Sequence, residues 1–184
     1  MSALKNPRIA AVITVIAVAI SFFFGAYRSI RSEARQVAAM FIRGVDDSGY
    51  GISGDLDERV DYANQLLKVA ERYDGLDAEI AEVEKAVIAM LSDREPAALF
   101  QADLLLQQAV TGLELALNDI SLSEKDQKYR DEIMANFESP SYKIEKEAVR
   151  YNAMVDSYTN EVLGGAIGRF VNSIVKLPVV EAYR

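Results

Sequence analysis

Three glycines at positions 49, 51 and 54 spell G-x-G-x-x-G, the spacing with which a backbone approaches the pyrophosphate of a dinucleotide. That chemistry needs a strand before the glycines and a βαβ unit around them. Helical periodicity precedes them here, and no alternating strand pattern of useful length exists. The same turn touches a calcium-loop template, with Asp46, Ser48, Gly51 and Asp57 at places one, three, six and twelve. Place five is Tyr50, which offers only a phenol, and place twelve is Asp where the longer Glu would bind bidentately. Both patterns read as a solvated acidic turn between helices. Acidic pairs such as Glu79 with Glu82, or Glu82 with Glu84, have the composition of a general acid–base dyad. On a charged helix they are a solvated face unless a pocket perturbs them.

The absent residues restrict the chemistry further. The chain contains no His and no Cys. That excludes His- and Cys-containing zinc sites and the usual Ser-His and Cys-His nucleophile pairs. It also weighs against a carboxylate-bridged di-metal bundle, which uses Glu-x-x-His. An enzyme would have to work through Asp, Glu, Lys, Ser or Tyr alone. The expectation is therefore no catalytic activity, no cofactor and no metal. Charge is divided along the chain. Residues 1–35 hold Lys5, Arg8, Arg28, Arg31 and Arg35 against Glu33, a net of +4, which leaves −12 of the total −8 on residues 36–184. A domain that acidic is unsuited to nucleic acid, whose phosphates demand Lys and Arg.

One constellation is more than a solvated face. Tyr151, Val155, Tyr158 and Val162 recur at steps of 4, 3 and 4 and so share one side of a helix, with Asn152 beside that side and Asn160 further round. The structural reading is a core stripe whose amides bond a neighbouring helix or backbone, because Asn is a poor helix former without a partner. The functional reading makes the same residues part of a partner-binding surface.

These residues need elements to hold them. Residues 9–27 carry no charge and, as a helix, span roughly 28 Å, close to the hydrocarbon thickness of a bilayer. They read as a single-pass transmembrane helix behind a short basic flank, residues 1–8, and ahead of an acidic helical domain, residues 28–184. A cleaved signal peptide is the first alternative, but its apolar core is usually only ~7–15 residues. A buried core helix is the second, but no comparably apolar partner segment exists. Tyr27 is the one candidate for an aromatic belt, and Arg28, Arg31 and Arg35 follow at the membrane surface. Arginines on both sides leave the orientation of the domain undecided.

Helical spacing continues through Ile30, Ala34, Val37 and Phe41, so the spacing predicts one helix over residues 9–43. A second helix is expected over 55–92, with Asp55 and Glu58 as a capping box and a kink or brief break at Asp74-Gly75. A third is expected over 96–137, opened by Pro96 and interrupted near 120–125. Its Leu99, Leu106, Val110, Leu113, Leu117 and Ile120 form a seam close to a heptad pattern. Ser139-Pro140 reads as a cap and first-turn proline for a fourth helix over 140–163, interrupted by Gly164-Gly165. The apolar extension 164–184 folds back on the bundle or rests on the membrane. The fold class is all-α: an N-terminal transmembrane helix continuing into an antiparallel up-and-down bundle of about four long helices.

With the anchor and the last long helix in hand, the chain resembles the LemA family of bacterial membrane proteins. The family's YN-x-x-V-x-x-YN-like signature reads here Tyr151-Asn152, Val155, Tyr158, Thr159 and Asn160. Asn64-Gln65-Leu66-Leu67, followed by Val69 and Tyr73, is similar to its N-L-V segment, and Phe137-Glu138-Ser139 through Lys143-Ile144 to its link into the last helix. Departures lie at the C-terminal end, where Leu163-Gly164-Gly165 stands in place of Phe-Pro and Leu177-Pro178 comes later, and in the longer glycine turn at 49–54. The resemblance implies a helical bundle on one membrane helix in the bacterial inner membrane, without established activity or cofactor. It also implies association with membrane zinc proteases or TPM-domain proteins. The functional expectation is a scaffold or adaptor for envelope proteins, with a homo-oligomer paired through the 99–120 seam as the alternative.

Overall fold

The computed structural model describes residues 7–46, 49–92 and 94–184. Lys5 of the basic flank and Ser48 of the calcium template lie outside them. Every regular element among the described residues is helical: α1 Pro7–Arg43, α2 Ile52–Ala70, α3 Asp77–Ser92, α4 Pro96–Asn118, α5 Glu124–Ser157, a π-helical segment Tyr158–Leu163, and α6 Ala166–Asn172. They form two compact units. Unit 1 takes Met1–Val37 with Val155–Val180, and unit 2 takes Ala38–Met154 with Glu181–Arg184.

The first helix is unbroken, as its spacing predicts. Its apolar part is long enough to cross a membrane, with a mean hydropathy of 2.6 over its most apolar 18-residue window, none of which is buried. Ile30, Ala34, Val37 and Phe41 beyond that window are buried.

In unit 2, α3 and α4 form the most closely packed pair and α2 lies against both. The heptad-like seam is buried within this single chain from Leu99 to Leu117, with Leu106, Val110, Leu113 and Leu117 fully enclosed, while Ile120 lies past the end of α4 and is only half-buried. Ile88, Leu91, Leu104, Leu105 and Leu115 remain exposed on the same two helices.

Two boundaries differ from the sequence expectation, each for an identifiable reason. The second helix starts at Ile52 with Gly51 as its N-cap, not at Asp55, which lies buried within the helix. A Cβ on Gly51 would stand 2.6 Å from both the Gly44 nitrogen and the Phe41 carbonyl oxygen, so only glycine lets α2 begin against the end of α1. The break expected at Asp74-Gly75 is present and divides 55–92 into α2 and α3, because Gly75 takes φ 84° and ends the helical path between them.

Pro140, expected to open a helix, sits inside α5. A mid-helix proline removes one backbone hydrogen bond and crowds the preceding turn. The helix survives because both sides of it are fastened: Ile133, Met134 and Phe137 before Pro140, and Ile144 and Tyr151 after it, are all buried. The helix instead begins at the polar interruption after α4. Ser123 Oγ accepts a 3.1 Å bond from the Asp126 amide and donates a 3.0 Å bond to the Asp126 carboxylate. The Tyr73 hydroxyl accepts from the Ser123 amide at 3.0 Å and donates to Asp126 at 2.8 Å, and Arg72 pairs with the same carboxylate.

Two predictions follow from these junctions. Gly51→Ala forces the α1–α2 turn apart and should cost about 1–3 kcal/mol of stability, the usual range for overpacking, read from urea unfolding followed by circular dichroism. The hydrogen bonds of Tyr73 and Ser123 hold the Asp126 carboxyl below its usual range. Its contribution to stability is therefore present above the ordinary carboxylate pKa and disappears as pH falls through the lowered one. Tyr73→Phe should lower the urea midpoint at pH 7, and the deficit should shrink as the solution is acidified through that window. A deficit independent of pH would assign the effect to ring packing instead.

Candidate functional site

The most unusual chemistry in unit 2 is a charge pair in its interior. Arg59 on α2 and Asp103 on α4 both point inward and are 2% and 7% exposed. Arg59 Nη1 donates to Asp103 Oδ2 at 2.9 Å and stands 2.8 Å from Oδ1. The guanidinium lies over the Phe137 ring of α5, 4.5 Å from its centre, which offers the cation a π face. Arg59 Nε and Nη2 have no hydrogen-bond acceptor among the described residues.

The third member comes from the C-terminal residues. The Tyr183 hydroxyl donates to Asp103 Oδ2 at 3.1 Å. Its ring packs edge-on against Phe100 at 5.2 Å and tilted against Phe41 at 5.9 Å. Asn152 fixes the backbone at the same residue from both sides: its Nδ2 donates to the Tyr183 carbonyl and its Oδ1 accepts from the Tyr183 amide, each at 2.8 Å. Next to Asn152, the Tyr151 hydroxyl donates to the Glu181 carbonyl at 2.8 Å. A side-chain amide that satisfies a donor and an acceptor of one backbone residue acts as a short piece of sheet edge.

The electrostatics fit a fastening. Burial pushes the Asp103 carboxyl up, against the pull of Arg59 and the Tyr183 hydrogen bond. Burial pushes the Tyr151 phenol up to about 12, and burial together with the Asp103 charge pushes Tyr183 higher still. Both phenols therefore stay protonated near neutral pH and serve as fixed donors. One cleft, of about 450 Å³ between α3 and α4, is lined by other residues, among them Glu82, Lys85, Leu105 and Gly112. Another of about 710 Å³ in unit 1 includes Phe22, Gly25, Glu33 and Glu161.

The signature face divides between the units. Tyr151 and Asn152 bond the C-terminal residues within unit 2. In unit 1, Val155 and Tyr158 are buried, the Tyr158 hydroxyl donates to the Pro178 carbonyl at 2.8 Å, and Asn160 is exposed on the π-helical segment. Arg28, Arg31 and Arg35 are exposed along α1, with Arg31 donating to the Tyr27 hydroxyl at 3.3 Å. Of the calcium-template residues, Asp46 pairs with Arg150, and Asp57 is exposed. No group of three or more acidic side chains among the described residues is placed to hold a metal ion.

Sequence reasoning missed Arg59, Asp103 and Tyr183. The signal was present for Asp103, which lies four residues after Leu99 and three before Leu106 and so sits on the buried face of its helix. A charge at such a position needs a buried partner.

No family model, curated protein or solved structure matches this chain.

Asp103→Ala leaves Arg59 buried without a counter-charge and should destabilise the chain by about 3–5 kcal/mol. Replacing the pair together, Arg59→Met with Asp103→Leu, should cost far less. Urea unfolding of the single and double variants measures the difference, and equal losses would show that the pair contributes only packing.

Proposed function

We propose that the chain is a non-enzymatic, membrane-anchored scaffold of the LemA type, standing in the bacterial inner membrane and presenting an acidic, up-and-down helical bundle to other envelope proteins. The observation that carries this reading is α1, whose apolar window holds no buried residue while Ile30, Ala34, Val37 and Phe41 beyond it are buried. An exposed apolar surface of that length is unstable in water, and lipid is the solvent that suits it. The positive residues Arg28, Arg31 and Arg35 then meet the headgroups. The partners that the family resemblance suggests are a membrane zinc protease or a TPM-domain protein. A second reading is favoured by Leu91, Leu104, Leu105 and Leu115, each large, apolar and exposed on α3 or α4. Copies of the chain assembling through these side chains would make it a structural homo-oligomer.

Alkaline carbonate extraction of bacterial membranes should leave the full chain in the pellet, and Val12→Asp with Ile16→Asp should release it. Extraction of the unaltered chain would overturn the anchor. In-cell crosslinking to an envelope protease or TPM-domain protein is the result expected of a scaffold. Crosslinks confined to copies of the chain, reduced by Leu105→Glu with Leu115→Glu, would favour the oligomer.

A further inference from the structure

Unit 1 ends in a segment whose apolar side has no cover. Ile167, Phe170 and Ile174 recur at steps of 3 and 4, are each more than half exposed, and are followed by exposed Val179. The opposite side is committed to the interior: Val171 and Leu177 are buried. The segment therefore carries apolar residues on both sides, one side packed and the other open.

Its position is fixed by several contacts within unit 1. A Cβ on Gly168 would stand 2.0 Å from the Val162 carbonyl oxygen, so α6 folds back directly onto the π-helical segment. Asn172 Oδ1 accepts from the Leu177 amide at 2.9 Å, and Tyr158 holds the Pro178 carbonyl. The Phe170 ring meets the Phe23 ring edge-on, with centres 6.5 Å apart. Phe23 belongs to the uncharged run and lies four residues before its end at Tyr27, which along a helix is roughly 6 Å. Amphipathic segments that lie in a bilayer interface sit about 5–10 Å into the headgroup and acyl boundary.

We infer that residues 166–179 lie in the lipid–water interface, with Ile167, Phe170, Ile174 and Val179 in contact with phospholipid, as a second membrane contact beside α1. The inference rests on the reading of α1 as a membrane span. The charge of the unit agrees with it. Unit 1 holds seven basic residues, including Arg169 and Lys176 of this segment, against Glu33, Asp156 and Glu161, while the remainder of the chain carries the whole acidic excess. Arg169 and Lys176 have stems long enough to lie along apolar surface while their charges reach anionic headgroups.

The chain has no Trp, so one substitution gives one fluorophore. The full chain is reconstituted into phosphatidylethanolamine–phosphatidylglycerol vesicles whose acyl chains carry bromines at shallow or deep positions. Four variants are compared: Phe170→Trp and Ile174→Trp in the segment, Val15→Trp in the middle of the run, and Ile88→Trp on α3 as a reference in water. The inference expects Trp at 170 and 174 to emit to the blue of Trp at 88 and to lose emission most to shallow bromines. Trp at 15 is expected to lose most to deep ones. Quenching at 15 without quenching at either 170 or 174 overturns the interfacial contact and leaves the anchor standing. Absence of quenching at all three overturns both. Blue-shifted emission at 170 that bromines do not quench means that protein, such as a second copy, covers the patch, and it overturns lipid contact.

Discussion

A guanidinium shut inside an apolar core determines much of unit 2. The charge of Arg59 must be met where it stands, because the desolvation penalty of each buried ion is several kcal/mol even after relaxation. Asp103 supplies the counter-charge from α4 and Phe137 supplies a ring face from α5. Tyr183 then takes up the carboxylate oxygen that also receives Arg59. Three helices and the C-terminal residues are thus tied to one group. The pair contributes little net energy compared with a well-packed apolar substitute. What it supplies is a demand for particular partners, which an apolar core would not make.

That demand explains the role of the two best-defined residues of the Tyr151–Asn160 face. Tyr151 and Asn152 spend their polar atoms on the backbone of residues 181 and 183 and deliver the Tyr183 ring to the interior. Phe41 and Phe100 complete the aromatic walls around it. A motif that reads as a helix face is, in its first half, a clasp for an irregular segment that comes some thirty residues later. Its second half belongs to unit 1, where Tyr158 holds Pro178 in the same manner, phenol to carbonyl. Phenols raised out of reach of ordinary pH make dependable fasteners, because they do not lose the proton that they donate.

The helices themselves were legible in the sequence, because burial repeats with the helical period. The seam of α4 and the stripe Val60, Ala63, Leu67 and Ala70 of α2 are buried as spaced. Boundaries were less legible, since they depend on contacts between distant residues. Asp55 has the chemistry of a cap, yet the start of α2 is set by how closely Gly51 approaches Phe41 and Gly44. Ser139-Pro140 has the chemistry of a helix start, yet apolar anchoring on both sides carries α5 through it. Ser123 and Asp126 do form a cap, with Tyr73 completing it from 50 residues away. The buried pair was hidden for the same reason. Arg59 looks like one more surface charge in an acidic chain, and Asp103, although spaced on the buried side of α4, names no partner until the two, 44 positions apart, are brought together.

The clasp also bears on the order in which unit 2 assembles. The contacts of α2, α3 and α4 join neighbouring elements and close short loops. The Tyr183–Asp103 bond joins residues 80 positions apart, and Asn152 meets Tyr183 across 31. Loop-closure entropy makes such contacts costly early in folding, so they form after the helical core. Interactions absent from the folding transition state act chiefly on the unfolding rate. The aromatic plug at Tyr183 is then a latch on the lifetime of the native state. Arg59 and Asp103 join α2 to α4, and residues 181–183, which close over them, govern how long that core stays shut.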